Sequence, residues 1–232
     1  MKRFYERASA TPQGDAFSVL LDGKVMRTPA KNAFSLPTES MADAVAEEWA
    51  AQSDTIDAAT MPLTRHAYTA IDGVRTNMPQ VVDEITRFGW TDLLCYRAEV
   101  PPVLVQRQNE AWQPLLNWLH ETYGVALVVT SGVVPVAQDD IGLVALGKVV
   151  GAFGGFELTG LHTVVSVSGS LVIGLAVAAE RLDPAEAWSF SRIDNDFQAG
   201  QWGVDPEAAD DAARARSDLV AAARFIALAR AE

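Results

Sequence analysis

The stretch Phe17-Ser-Val-Leu-Leu-Asp-Gly-Lys-Val-Met-Arg-Thr28 gives the clearest structural signal in the chain. Two runs rich in apolar residues, 17–21 and 24–28, flank the pair Asp22-Gly23. Both turn residues tolerate a positive φ, so this pattern predicts a β-hairpin. Residues 33–36 are a candidate third strand. The chain therefore begins with a small β unit.

Helical patterns follow the hairpin. Thr38 is the predicted N-cap of a helix over 39–52, because Met41, Val45 and Trp49 recur at helical spacing on one face. We predict an α+β fold. A small β-rich N-terminal domain, residues 1–60 with this first helix, precedes a larger, mostly α-helical domain, residues 61–232.

Two capping signals mark helix starts near the C-terminal end. Asp183 and Asp205 each precede a proline at the first helical position and a glutamate in the first turn. The first signal predicts one helix that presents Phe190, Ile193 and Phe197 on a face. The second predicts a helix that ends in Arg230.

Composition excludes several classes of protein. The 232 residues are 49% hydrophobic, enough for a substantial core, and 18 basic against 30 acidic residues give a formal net charge of −12. An acidic chain does not favour binding to nucleic acid or to an anionic membrane surface. Glycine and polar residues break the apolar run 158–179, so we expect no membrane insertion. The single cysteine, Cys95, excludes an internal disulfide and a Cys-rich zinc site.

No pattern for catalysis, metal binding or cofactor binding stands out. His66, His120 and His162 are not paired with other ligands at metal-binding spacing. Gly151-Ala-Phe-Gly-Gly155 lacks the lysine and hydroxyl residue of a phosphate-binding loop and is typical of a helix-ending turn. We expect Cys95, among apolar neighbours, to be buried and unreactive. The sequence therefore predicts no catalytic residue, no metal and no cofactor.

Acidic residues are concentrated between 183 and 211, where eight acids face one base, Arg192. Acids at helix starts complement the helix dipole, which is one explanation. Acids that surround aromatic residues also suit recognition of another protein, which is the second. Phe197 could equally pack these helices together, whereas Trp202, predicted in the connection between them, is expected to be exposed. The candidate partner-binding residues are Asp194, Asp196, Phe197, Gln198, Trp202, Gly203, Asp205 and Glu207.

An ordered set of short motifs over about residues 3–208 resembles a known family. In chain order these are Arg3-Phe-Tyr5, Leu21-Asp-Gly23, Arg27-Thr-Pro-Ala-Lys-Asn32, Glu48-Trp49, Gln52, Met61-Pro-Leu-Thr-Arg65, Ala70-Ile-Asp72, Thr91-Asp-Leu-Leu-Cys-Tyr-Arg97, Gln108, Trp112, Pro114, Trp118, Gly169-Ser170, Ala187-Trp188, Phe197-Gln198, Trp202-Gly203 and Asp205-Pro-Glu-Ala208. Together they resemble the F1-ATPase assembly chaperones that handle the alpha subunit in mitochondria and alphaproteobacteria.

This resemblance implies a chaperone without enzymatic activity. It would bind the free F1-ATPase alpha subunit, shield the surface that pairs with beta, and leave when the hexamer assembles. We expect a monomer in the bacterial cytoplasm or, in a eukaryote, in the mitochondrial matrix. The chain departs from the family at Asn195, where the family usually has glutamate.

Two other classes of function stay open at the level of sequence. One is an enzyme with an unrecognised acid–base site that uses His66 or the pair Asp194 and Asp196. The other is an adaptor subunit of a different complex. An enzyme predicts a deep pocket with convergent polar groups, and an adaptor predicts a permanent partner with a larger apolar interface.

Overall fold

The computed structural model describes residues 1–132, 134, 136–203 and 205–231. Val204, which lies between the candidate residues Gly203 and Asp205, is outside the described residues. Within the described ranges the β-strands are β1 Ala8–Gln13, β2 Ala16–Leu21, β3 Lys24–Val25, β4 Tyr96–Arg97 and β5 Thr130–Ser131. The α-helices are α1 Glu39–Ala50, α2 Pro62–Asp72, α3 Met78–Arg87, α4 Pro102–Tyr123, α5 Asp140–Gly151, α6 Gly155–Ser168, α7 Leu171–Ala178, α8 Pro184–Ser191, α9 Ile193–Trp202 and α10 Pro206–Arg230.

The described chain forms two compact units. Unit 1 contains the described residues of Met1–Met78, Gly154–Gly160 and Ala221–Glu232, and unit 2 contains those of Pro79–Phe153 and Leu161–Val220. Both α6 and α10 contribute residues to each unit. The α+β class predicted from the sequence is confirmed, with the small sheet at the N-terminus and helices after it. The division into a domain of residues 1–60 and a domain of residues 61–232 stays a prediction.

Unit 1 is built on a three-stranded antiparallel sheet in the order β1-β2-β3. Asp22 and Gly23 adopt φ values of 49° and 78°, which confirms the predicted turn. The second strand is shorter than predicted and ends at Val25. The expected third strand over 33–36 is wrong: Ala33 and Leu36 form only isolated bridges. The third strand of the sheet is instead β1, which precedes the hairpin in the chain and pairs with β2 along its whole length.

Helix α1 covers this sheet with its apolar face. The Thr38 hydroxyl accepts a hydrogen bond from the Met41 backbone N–H at 3.1 Å, so the predicted N-cap is confirmed. Met41, Val45 and Trp49 are buried in the core of unit 1, as their spacing predicted.

Unit 2 surrounds helix α7, in which every residue is buried. The long helix α4 packs against α7, α8 and α9, and places the indole of Trp112 in the interior. A two-stranded parallel sheet pairs β4 with β5. The helix predicted after Asp183 is divided at Arg192 into α8 and α9, so the expectation of one helix is wrong. The cap predicted at Asp205 is confirmed, since its carboxylate accepts the Glu207 backbone N–H at 3.1 Å.

Candidate partner-binding surface

The acidic segment, defined here as the described residues of 194–207, belongs to α9 and the start of α10. Helix α9 ends at Trp202, which is thus the last helical residue rather than part of the connection. Gly203 follows with a φ of 88° and donates its N–H to the Ala199 carbonyl. This positive φ suits glycine and closes the helix directly after the tryptophan.

Two faces of α9 differ in exposure. Asp194 and Phe197, one helical turn apart, are half-buried, whereas Asn195, Gln198 and Trp202 on the neighbouring face are exposed. Trp202 is 81% exposed, the largest value among the exposed large hydrophobic residues described. A tryptophan this exposed within an acidic segment is typical of a protein-contact residue.

Asp194 holds the start of α9 in place. Its carboxylate accepts a hydrogen bond at 2.7 Å from the side-chain amide of Gln108, which is almost fully buried. The other amide atom of Gln108 accepts the Ala98 backbone N–H at 2.7 Å. Partial burial raises the pKa of Asp194, and the hydrogen bond from Gln108 opposes this. Asp194 is therefore a positioning residue whose carboxylate already has a partner inside unit 2.

The end of α8 is fixed by a second buried contact. The Trp112 indole N–H donates to the Phe190 carbonyl at 2.9 Å. The Arg97 guanidinium lies 5.2 Å from the Trp112 ring and also bonds to the Leu94 carbonyl and the Asn109 side chain. The motif residues Arg97 and Trp112 thus support the backbone that leads into the acidic segment.

The remaining candidate residues face outward. Asp196 lies 3.7 Å from the Arg192 guanidinium, which is also positioned over the Trp188 ring. Gln198, Gly203, Asp205 and Glu207 are exposed. The structure therefore separates the eight candidates: Asp194 and Phe197 point partly inward, and the other six form the exposed part of the acidic segment.

A cavity beside this segment was not anticipated from the sequence. It has a volume of about 540 Å³ and is lined by Trp188, Arg192, Asn195, Asp211 and small residues of α6 and α10. Its α10 side carries Ala208, Ala212 and Ala215 at helical spacing, the one trace of it in the sequence. Asn195, the residue that departs from the family pattern, is thus on the rim of a surface depression and is not a core residue.

Other exposed apolar residues of unit 2 were also missed. Val100, Val134, Ile141 and Val144 have more than half of their surface exposed. Their sequence context shows no periodicity that would have separated them from core valines.

The residues considered for an acid–base site, His66 or the pair Asp194 and Asp196, have local partners. In unit 1 the buried His66 has its Nδ1 2.7 Å from the Pro62 carbonyl. In unit 2 Asp194 accepts from Gln108, and Asp196 lies 3.7 Å from the Arg192 guanidinium. Burial raises the pKa of Cys95 to about 12, so its thiol is protonated at neutral pH. No cluster of three or more His, Cys, Asp or Glu that could hold a metal ion occurs in the described part of the chain. Among those residues, too, no helix combines the length and apolarity needed to cross a membrane.

Comparison with known proteins identifies the family. The model of the ATP12 chaperone protein family matches residues 2–120, about half of the chain. The chain belongs to the ATP12 chaperone family. This confirms the F1-ATPase assembly chaperone family inferred from the ordered motifs.

The relatives extend the match over the rest of the chain. Protein atp12, mitochondrial, of Schizosaccharomyces pombe is 22% identical over 221 residues, which cover 87% of this chain and 74% of that protein. The crystal structure of Atp12 from Paracoccus denitrificans is 41% identical, with a TM-score of 0.95 over 99% of this chain and 98% of the other. The crystal structure of the Atu1473 protein from Agrobacterium tumefaciens is 36% identical, with a TM-score of 0.93 over 98% of this chain and 85% of the other. The whole described fold is thus a family fold.

Proposed function

We propose that this chain binds the free alpha subunit of F1-ATPase and shields its beta-contacting surface until the hexamer assembles. Membership of the ATP12 family makes it an F1-ATPase assembly chaperone. The choice of alpha as client rests on the motifs described in the sequence analysis. In this proposal the chain acts as a monomer in the bacterial cytoplasm or the mitochondrial matrix, with no enzymatic activity and no cofactor.

The exposure of Trp202 is the observation that supports a binding role best. The ring is 81% exposed, and the chain around it is anchored by Gln108 to Asp194 at one end and capped by Asp205 at the other. A large apolar group presented on a fixed backbone binds a partner without a large loss of conformational entropy. The exposed acids around it favour a client surface of positive charge.

Co-expression tests the choice of client. We expect more soluble alpha subunit in cells that also produce this chain than in cells that do not. Affinity purification of the tagged chain should recover free alpha but not assembled F1. Equal solubility of alpha in both strains, or recovery of the chain as a fixed component of finished F1, would reject a transient chaperone of alpha.

Substitution of Trp202 tests the binding surface. Truncation of an interface tryptophan costs about 2 kcal/mol of binding free energy, so Trp202→Ala should weaken alpha binding by about 30-fold. Because the ring is exposed, the free energy of unfolding should change by no more than about 0.5 kcal/mol. Trp90→Ala is the matched control, since Trp90 is also partly exposed in unit 2 but lies outside the acidic segment. Equal affinity of the two variants for alpha would remove Trp202 from the contact surface.

A further inference from the structure

A cavity of about 370 Å³ lies beside the N-terminal sheet, entirely within unit 1. We call it the aromatic cavity because Tyr5, Trp49 and Tyr68 line it, together with Met26 from the segment after the hairpin. The volume is at the lower end of the range for binding pockets and suits one large side chain with its flanking backbone. None of the candidate residues of the acidic segment contributes to this cavity, so it is a separate feature.

Two large apolar side chains lie at the aromatic cavity with much of their surface exposed. Phe4 is 64% exposed although its ring packs edge-on against Tyr5 at 5.3 Å, and Val25 on the short edge strand β3 is 46% exposed. Exposed apolar groups that continue outward from a pocket extend the contact area beyond the pocket itself. This arrangement suits a peptide segment of a larger molecule better than a small ligand enclosed on all sides.

The charges around the aromatic cavity are mainly positive. Lys24 and Arg27 line it, and neither forms a salt bridge with a carboxylate in the described part of the chain. Asp22 is the one acid of the lining, and its carboxylate accepts the backbone N–H groups of Arg7 and Glu6. These backbone bonds, first that of Arg7, lower the pKa of Asp22, with smaller contributions from the positive charges of Arg3 and then Lys24. The side chain of Asp22 thus serves the local fold. Arg27 donates one guanidinium N–H to the Lys31 carbonyl at 3.0 Å, and its other donors and the Lys24 ammonium are available to an anionic partner.

Arg3 adds a third positive charge near Tyr5. Its guanidinium lies 4.7 Å from the Tyr5 ring centroid and donates to the carbonyls of Tyr5, Glu6 and Gln52. The first 37 residues together carry six bases and three acids, in a chain whose remaining part has a net charge of −15. The N-terminal region therefore presents the opposite charge to the acidic segment.

Two lining residues of the aromatic cavity, Trp49 and Tyr68, also carry polar groups. The indole Nε1 of Trp49 is buried and has no hydrogen-bond partner among the described residues. A buried donor without an acceptor costs about 1–3 kcal/mol. Burial, with a smaller effect of Asp72, raises the pKa of Tyr68 to about 12, so its hydroxyl remains a hydrogen-bond donor.

We infer that the aromatic cavity is a second docking site for the client chain. Its occupant is a client segment in which a large apolar side chain stands next to Asp or Glu. The identity of the client rests on the proposed function, whereas the chemistry of the occupant follows from the aromatic lining and the cations Lys24 and Arg27. A chaperone with one acidic and one basic contact surface binds one basic and one acidic region of its client. It therefore binds the client more tightly than proteins that match only one of the two surfaces.

Site-specific photo-crosslinking with purified alpha subunit tests this site. A benzoylphenylalanine at Val25, beside the aromatic cavity, should crosslink to alpha, and the crosslinked alpha peptide should contain an acid next to a large apolar residue. The same probe at Val144, an exposed valine of unit 2, is the positional control. If the full-length chain binds alpha but Val25 gives no more product than Val144, or the captured peptide is basic, the inference is rejected while the proposed function stands. If the chain does not bind alpha, both the proposed function and this inference are rejected.

Charge reversal gives an independent readout. Lys24→Glu should weaken alpha binding by about tenfold at low salt, with the difference shrinking at high salt because exposed charges are screened. The control is Lys148→Glu, which makes the same change of charge at an exposed position of unit 2. Both variants should melt within a few degrees of the unchanged protein, which verifies the fold; the small decrease expected for Lys148→Glu arises because Lys148 lies in the last turn of α5, where glutamate opposes the helix dipole. Equal affinity of the two variants at low salt would overturn the role of Lys24.

Discussion

Helices α7 and α9 belong to the same unit but differ in burial and in the capping of their first turn. Every residue of α7 is buried, and its start is capped by the Ser170 hydroxyl, which accepts the Ile173 N–H at 3.0 Å. Helix α9 has no buried residue, no side-chain cap, and two acids in its first turn. Hydrogen bonds inside the unit hold the start of α7, whereas α9 leaves the side chains of Gln198 and Trp202 exposed. The stability of unit 2 should therefore depend on α7, and its binding on α9.

Asp92 is the residue that secures α7. Its carboxylate is fully buried and accepts the Ser170 hydroxyl at 2.8 Å, the Leu94 N–H at 3.0 Å and the Val172 N–H at 3.1 Å. The side chain of Asp92 thus joins the backbone at Leu94 to the first turn of the buried helix α7. Three donors would lose their acceptor if it were removed.

Substitution of Asp92 should have the largest effect on stability. Asp92→Ala leaves several buried donors unpaired and opens a small cavity, so the free energy of unfolding should fall by about 3–4 kcal/mol. Asp196→Ala in α9 removes an exposed acid and should change it by no more than about 0.5 kcal/mol. Urea unfolding followed by tryptophan fluorescence measures both. Similar values for the two variants would contradict the contrast between α7 and α9.

The same carboxyl should make stability depend on pH. Burial raises the pKa of Asp92 from 3.8 to about 6, against the opposing effect of hydrogen bonds from Val172, Ser170 and Leu94. The folded protein then holds a proton that the unfolded chain has already lost, so this contribution to stability is present below pH 4 and is lost as pH rises through 6. At 1.36 kcal/mol per unit, the change is up to about 3 kcal/mol.

Asp92→Asn supplies the reference for this pH dependence, because the amide does not titrate. From pH 4 to pH 7 the unchanged protein should lose stability relative to the variant. The measurement is a series of urea unfolding curves on both proteins at closely spaced pH values. A difference that stays constant over this range would show that Asp92 does not titrate there.

A glycine in α7 should not tolerate a methyl group. A Cβ at Gly174 would lie 2.3 Å from Val165 Cγ2 and 3.1 Å from Leu161 Cδ1. The branched side chain of Val165 has little freedom to move away. Gly174→Ala should therefore lower the free energy of unfolding by about 2 kcal/mol, in spite of the better helix propensity of alanine. A variant as stable as the original in urea unfolding would show that α7 is packed less closely than its burial indicates.

The equivalent change in α9 should have the opposite sign and a smaller size. Nothing lies within 4 Å of a Cβ at Gly200. Gly200→Ala should raise the free energy of unfolding by about 0.5–1 kcal/mol through helix propensity alone. Thermal melts of this variant beside Gly174→Ala compare the two helices directly. A lower melting temperature for Gly200→Ala would mean that the exposed side of α9 is covered.

Local chemistry explains which parts of the fold were predictable. Asp22-Gly23, Thr38 and Asp205 act within a few residues of themselves, so the hairpin turn and two helix starts could be read directly. Strand β1 could not, because Ala8–Gln13 has little strand propensity of its own and depends on pairing with β2. The break at Arg192 was missed because no glycine or proline marks it.

The candidate site divides in the same way. The exposure of Trp202 could be expected from its place beside Gly203 and a capped helix start. The bond between Gln108 and Asp194 joins residues 86 positions apart, and no local pattern reveals it. The aromatic cavity combines Tyr5, Trp49 and Tyr68 from three separate elements, each of which looks like an ordinary core residue in sequence.

The hydrogen bond from Gln108 to Asp194 also affects the rate at which a client binds and, through it, the lifetime of the complex. Because the start of α9 is already fixed in the free protein, capture does not have to wait for the acidic segment to order, and the association rate can reach the typical ~10⁶ M⁻¹s⁻¹ of preformed surfaces. With a dissociation constant of ~1 μM, this rate corresponds to a complex lifetime of about 1 s. A lifetime of that order would let an assembly factor hold its client through many encounters with unrelated proteins and still pass it on within seconds.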